Sequence, residues 1–378
     1  MDLLTAITKE SITDEDVNIL IGVNGSGKST YLNEVSKHFL NRSKNVIAIA
    51  NTIFDKFDSR DKHLKILRHS RGKGTIKHTI KEVFRIFEKK DEKAFFGINS
   101  VFEYVGFQSS FSIRMVGLQP DFAENLRKNE HLFEREELEI AHNFLNMYIE
   151  EAHYRRDVFT FEFSHDFFGL RNLDFLKFLS LEYKLRKARV LYRIDFFFTK
   201  DGQQIPVTKA SSGELALLST MMFINCHIEE NSVILIDEPE NSLHPQWQIE
   251  YVKRIVDVFY FYQPKIVIAT HSPLIINGAE LSLNRVKIFK ANLWGLFLPY
   301  EKKLKNVEQI YEEYFNVTTP ENRFLSDLVV DKMNLLYGNQ ISLEDFAQII
   351  NNQITQSFDD RQKRALGEII KLAQNSHG

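Results

Sequence analysis

Eight residues, GVNGSGKS at Gly22–Ser29, stand between an apolar run, VNILIG, and an amphipathic segment, TYLNEVSKHFL. A glycine-rich loop that follows a buried strand and opens a helix constrains the chain strongly, because its backbone N–H groups can gather round a phosphate only in that setting. With a second apolar run, NVIAIAN, close behind, the order strand, loop, helix, strand predicts the start of a parallel α/β sheet. In such a loop the amides near Gly25, Ser26 and Gly27 wrap a β-phosphate, with Asn24 and Thr30 at the two ends of the turn. Lys28 reaches the β- and γ-phosphates, and the Ser29 hydroxyl is placed to ligate Mg²⁺.

The rest of the chain supports this start. Of 378 residues, 43% are hydrophobic, enough for one large or two medium domains with a real core. The single cysteine, Cys226, excludes a disulfide framework and a cysteine-built zinc site; in STMMFINCHI it reads as a buried helical thiol. No apolar run is long enough for a membrane span, and the acidic start MDLLTAITKESITDEDV is unlike a signal peptide, so the expectation is a cytoplasmic protein without membrane contact.

A net charge of −3 leaves any nucleic-acid contact to a local patch. One exists: residues 56–90 carry twelve Lys/Arg against four acids, read either as a solvated, mobile loop or as a footprint for nucleic acid or another polyanion.

Three divisions are expected. Residues 1–55 and 195–300 carry the α/β character and form a split nucleotide-binding head. Residues 56–194 turn to Phe-rich helices and alternating strands such as VFTFEFS and LYRIDFFFTKDG, an inserted domain. Residues 301–378 read as helices, with Ser342 capping LEDFAQII.

Two further strand ends carry polar residues. VILIDEPENSLHP delivers Asp237 and Glu238 to the carboxyl end of a strand, where ligands bind in open α/β sheets. Asp237 is placed to hold Mg²⁺ through water or Ser29, and Glu238 to act as general base on the attacking water. VIATHSP ends at Thr270, His271 and Ser272, where His271 would touch the γ-phosphate. His244, before Pro245, has a turn role at least as much as a functional one. Between these segments and the insertion lies TKASSGELALL, whose Ser211, Ser212, Gly213 and Glu214 open another helix.

Taken in order, Gly22–Ser29, Ser211–Glu214, Asp237 with Glu238, and His271 resemble the motifs of ABC-type ATPases. The wording DGQQIPVTKASSGE, DEPENSLHPQWQ and IATHSPLII is similar to the OLD-family and RecF-like branch, including stand-alone ATPases of prokaryotic anti-phage modules of the Septu and PARIS types. Transporter subunits usually carry Ser-Ala-Leu-Asp after the acidic pair, where this chain has Asn241-Ser242-Leu243-His244, so a transport ATPase is the weaker reading.

The resemblance implies a P-loop ATPase head with ATP and Mg²⁺ as cofactors. It also implies a homodimer in which residues Ser211–Glu214 of one head cap the γ-phosphate held by the other. No aromatic residue precedes Tyr31, so the ring that stacks on adenine in many such heads is missing from its usual place. For the glutamine that follows the second strand in these heads, Gln108 and Asn51 are rivals.

OLD proteins add a nuclease domain that needs a separated Asp-x-Asp pair. None follows His271, and SLEDF and SFDDRQK read as solvated helix faces. The expected activity is therefore ATP hydrolysis alone, with a nuclease or toxin supplied by a partner effector docked on the insertion or the helical tail. The alternatives are an ATP-stabilised scaffold that cages such an effector, and, more weakly, a transport subunit.

Overall fold

The computed structural model describes residues 7, 16–52, 55–58, 60–69, 79–80, 92–152, 158–162, 170–241, 243–284, 286–291, 297–300, 307–315, 323–357 and 360–377. The strands are β1 (Asp16–Ile21), β2 (Val46–Ala50), β3 (Leu64–Arg68), β4 (Ser110–Val116), β5 (Phe159–Glu162), β6 (Arg193–Lys200), β7 (Gln203–Pro206), β8 (Val233–Asp237), β9 (Lys265–Thr270), β10 (Val286–Ala291) and β11 (Phe297–Tyr300). The helices are α1 (Lys28–Leu40), α2 (Glu92–Val105), α3 (Phe122–Lys128), α4 (Arg135–Ala152), α5 (Leu170–Ser180), α6 (Glu182–Lys187), α7 (Ser212–His227), α8 (Pro245–Phe259), α9 (Pro273–Ser282), α10 (Val307–Phe315), α11 (Arg323–Tyr337), α12 (Leu343–Gln356) and α13 (Asp360–His377). The chain divides into two compact units, residues 1–31, 245–253 and 267–378, and residues 32–244 and 254–266.

In the first unit the strand order is β11-β10-β1-β9. β1 runs parallel to β10, with Val17 opposite Val286, and β11 closes the edge antiparallel. Residues 17–21 of β1 and 266–270 of β9 are all buried, the near-continuous burial of parallel strands covered on both faces. The helices after residue 301 build their own core from Leu325, Leu336, Phe346, Ile350, Leu366 and Ala373. Ser342 caps α12 as its sequence predicts: its Oγ accepts the Asp345 N–H while the Asp345 carboxylate accepts the Ser342 N–H.

In the second unit β8, β2 and β3 lie in that order and run parallel, with Ala50 opposite both Asp237 and Arg68. Residues 64–68 thus extend the parallel sheet past residue 55. For residues 64–68 that corrects the loop alternative, since Leu64 and Leu67 are buried and hold the strand in place. Arg68, counted among the free cations of that segment, bonds the Asp55 carboxylate (2.7 Å) and the Phe57 carbonyl (3.0 Å). Of the expected polyanion footprint, residues 59, 70–78 and 81–90 lie outside the described residues.

The insertion contributes a second, antiparallel sheet in the order β5-β4-β6-β7. Its core is phenylalanine: Phe144 meets Phe178 at 4.4 Å and Phe175 at 5.3 Å between ring centroids, and Phe111 meets Phe175 at 5.6 Å. Tilted rings at these distances add about 0.5–1.5 kcal/mol per pair beyond burial. β6 turns into β7 through Asp201 and Gly202, both at positive φ (49° and 72°), the Asp-Gly chemistry of a two-residue hairpin. β7 then passes through a single 3₁₀ turn, Val207–Lys209, into α7.

Candidate functional site

In the first unit the glycine loop leaves β1 at Gly22 and α1 starts at Lys28. Gly25 and Gly27 take φ of 82° and 88°, a left-handed backbone that side chains resist and that turns successive amides toward one concavity. Lys28 is 4% exposed, and its ammonium donates to the Gly22 and Val23 carbonyls at 2.8 and 3.2 Å. Ser26 Oγ is buried with no hydrogen-bond partner among the described residues. A buried ammonium and an orphaned hydroxyl in a left-handed glycine loop form a donor set that fits a phosphate anion. Asn24 and Thr30 are exposed at the two ends of the turn and Ser29 is half-buried.

At the end of β9, Thr270 and Ser272 build the local frame. Thr270 Oγ1 accepts the Ser272 N–H (2.9 Å), and Ser272 caps α9 by accepting the Ile275 N–H while donating to Gln248 Oε1 (2.6 Å). His271 between them is half-buried. His244 is exposed just ahead of Pro245 at the first position of α8, a helix-start role that the sequence anticipates.

In the second unit β8 ends at Asp237, which is fully buried. Asn51, one residue past β2, donates both its backbone N–H (3.3 Å) and its Nδ2 (3.1 Å) to the Asp237 carbonyl. Gln108 is exposed, and its backbone N–H bonds Thr199 at the second sheet. Of the two rivals, Asn51 is the one beside the acidic pair.

Glu238 is half-buried and holds φ of 48°, a left-handed conformation that costs a residue with a Cβ about 1–2 kcal/mol. Asn241 braces it, with its N–H on the Glu238 carbonyl (3.3 Å) and its Nδ2 on Glu238 Oε2 (3.2 Å). Strain of this kind at a polar strand end is what sites that aim one carboxylate store. Among the described residues no group of three or more His, Cys, Asp or Glu gathers as a metal nest. An Mg²⁺ that arrives with a phosphate would take its oxygens mainly from phosphate and water.

Still in the second unit, α7 begins with a capping box. Ser211 Oγ accepts the Glu214 N–H (3.1 Å) and Glu214 Oε2 accepts the Ser211 N–H (3.0 Å). Glu214 Oε1 accepts a third bond, from Lys200 Nζ at 2.6 Å. Burial opposes ionisation of Glu214, yet the bonds from Lys200 and Ser211 outweigh it and hold its pKa below the usual carboxylate value. Ser211 and Glu214 are thereby occupied within the chain. Ser212 is exposed with no described partner, and buried Gly213 follows it, so the open groups at this helix start are the Ser212 hydroxyl and the first amides.

Lys200 escaped the sequence reading, although signals for it exist. The Ser-x-x-Glu spacing of 211–214 is a readable capping box, and Asp201-Gly202 is a readable hairpin turn that ends β6 at Lys200. Cys226, expected to be buried, is only partly so near the end of α7.

A glycine loop after a buried parallel strand, opening a helix, is the mark of the P-loop ATPase class. The chain belongs to the AAA_21 family, described as "AAA domain, putative AbiEii toxin, Type IV TA system", which matches residues 81–277. That span holds the helix start at 211–214, the acidic pair and His271, and the glycine loop precedes it.

Protein ea59 of Escherichia phage lambda is 29% identical over 115 residues, 29% of this chain and 22% of that protein. The "Retron Vc95 probable ATPase" of Vibrio cholerae is 29% identical over 94 residues, 22% of this chain and 18% of its own. Septu protein PtuA of Bacillus thuringiensis is 24% identical over 299 residues, 71% of this chain and 69% of that one. The chain thus spans about a fifth of the first two relatives and two thirds of the third. What the comparisons establish for this chain is the AAA_21 family over residues 81–277. Among the described residues no helix is long and apolar enough to cross a membrane.

Proposed function

We propose that the chain is an ATP-hydrolysing dimeric switch that controls a partner effector, a nuclease or toxin, in anti-phage defence. ATP supplies the phosphoryl group that passes to water, and Mg²⁺ offsets its charge. Asn24, Gly25, Ser26, Gly27, Lys28, Ser29 and Thr30 would hold the phosphates, with Ser29 and Asp237 as the metal's protein ligands. Glu238 would take the proton of the attacking water, and His271 would contact the γ-phosphate. The observation that carries the reading is Glu238, a half-buried carboxylate held in strained backbone directly after the buried Asp237.

The dimer follows from the other open group. Ser212 and the α7 amides would meet the γ-phosphate held by a second copy, because a helix start favours an anion and is worth little there without one. Lys28→Ala should lose ATP binding, whereas Ser212→Arg should bind ATP and release no phosphate.

Mixing those two inactive variants tests the dimer. One of the two composite sites in a mixed dimer keeps both an intact glycine loop and an intact helix start, so phosphate release should recover in part. A mixture as inactive as its components would refute the shared site. Turnover of the parent protein that is unchanged by Glu238→Gln would instead favour an ATP-stabilised scaffold.

A further inference from the structure

Residues 182–193 of the second unit read EYKLRKARVLYR. Leu185, Ala188, Val190 and Leu191 are 0–4% exposed and pin the backbone, so the residues between them point outward. Glu182 is buried and takes the Ile194 N–H at 3.0 Å, which removes it from the surface.

The end of α3 is stitched to the same stretch. Asn125 Nδ2 donates to the Arg189 carbonyl (3.3 Å) and Asn129 Nδ2 to the Ala188 carbonyl (3.5 Å), while Tyr192 N–H bonds Val116 (2.9 Å). The end of α3, which carries Arg127 and Lys128, therefore lies against the stretch that carries Lys184, Arg186, Lys187, Arg189 and Arg193.

Three of these seven cations have carboxylate partners: Lys128 with Glu124 (2.7 Å), Lys184 with Glu137 (2.7 Å) and Arg193 with Asp195 (2.8 Å). Arg127, Arg186, Lys187 and Arg189 are exposed and pair with no carboxylate among the described residues. Two rings stand among them, Tyr183 at 74% and Tyr192 at 65% exposure, and the Arg193 guanidinium lies 5.8 Å from the Tyr192 ring centre.

Cations in the last turn of a helix offset its negative end. That accounts for Lys184, Arg186 and Lys187 on α6 and for Arg127 and Lys128 on α3. It leaves Arg189 and both exposed rings unexplained, Arg193 being paired with Asp195.

We infer that this face binds single-stranded nucleic acid, independently of residues 56–90. Phosphates would lie against Arg127, Arg186, Lys187 and Arg189, and bases would stack on Tyr183 and Tyr192. Unpaired cations supply the sequence-independent attraction, and exposed rings interleaved with them are the stacking platform that single strands use and duplexes cannot reach. The inference goes beyond the ATPase reading and does not depend on turnover.

The test uses the full chain and a fluorescein-labelled 20-mer of oligothymidylate, read by anisotropy from 50 to 200 mM salt. Affinity should fall with salt at a log–log slope of about −0.7 per phosphate contacted. Arg186→Glu with Lys187→Glu and Arg189→Glu should weaken binding by about tenfold or more at the lowest salt and flatten the slope. Tyr183→Ala with Tyr192→Ala should weaken it by about tenfold with the slope retained.

Phosphate release should be unchanged in both variants. Should the charge reversal lower the melting point, the triple Gln variant at the same positions is read the same way. The inference is overturned if the oligonucleotide is not bound, if the triple variant binds as the parent does, or if a 20-bp duplex binds as tightly as the single strand. Binding to phosphatidylserine vesicles in place of the oligonucleotide would also overturn it and assign the face to a membrane.

Discussion

Glu238 is asked to do two incompatible things, to hold a left-handed backbone and to carry a Cβ. The conflict can be measured. Glu238→Gly and Glu238→Ala both remove the carboxylate, so each should lower turnover by about 10²- to 10⁴-fold, the usual worth of a general base. They differ in backbone alone: the glycine variant should be the more stable by about 1 kcal/mol in urea unfolding, because glycine accepts positive φ without strain. Equal stability would mean that the position is relaxed.

Lys200 is the second residue with a sharp consequence. Its bond to Glu214 (2.6 Å) neutralises a carboxylate at a helix start that is expected to meet a γ-phosphate. Lys200→Gln would leave that negative charge facing the nucleotide, so the ATP concentration for half-maximal turnover should rise by about tenfold, the size of one lost charge-assisted bond. Adding Glu214→Gln should restore it, and a double variant as weak as the single one would show that Lys200 acts in some other way.

At the scale of elements, α7 is fastened at both ends of its first half. Lys200 of β6 holds its start, and His69, just past β3, bonds Thr220 Oγ1 in its middle at 3.0 Å. Burial pushes the His69 pKa down to about 4, so the ring is neutral in the fold at every pH near 7. The unfolded chain takes up a proton below about 6.5. Stability is therefore full above pH 6.5 and falls as pH drops toward 4, by about 3 kcal/mol over that window. His69→Gln should flatten the acid side of the stability profile, and an unchanged profile would place the acid sensitivity elsewhere.

The same elements show why some of this was legible in the sequence and some was not. β1, β2, β8 and β9 are short apolar runs buried on both faces, and such runs ending in polar residues announce themselves. The glycine loop, the acidic pair, His271 and the Ser342 cap all follow from local pattern. β3 is hidden because LKILR does not alternate cleanly and sits in a cationic stretch, whose charge masks a half-buried strand with Arg68 tied to Asp55. The neighbourhood of Asn51 and Asp237, and that of Lys200 and Glu214, depends on which strands pair, and pairing across 14 to 186 residues leaves no local trace.

For the whole molecule, the proposed dimer would have the glycine loop and the exposed helix start of one chain serve different ATP molecules. Ser211 and Glu214 are satisfied internally and Ser212 is open, which suits the partner-facing role proposed for that helix start. The insertion feeds that helix directly through β6, β7 and one 3₁₀ turn. A ligand or effector docked on the second sheet would thus bear on the surface that closes over ATP. The most direct measurement is light scattering of purified Glu238→Gln with Mg²⁺, first without nucleotide and then with ATP. The account predicts monomers that become dimers on ATP addition and stay so, with Lys28→Ala in the same chain abolishing the change; monomers at saturating ATP would contradict it.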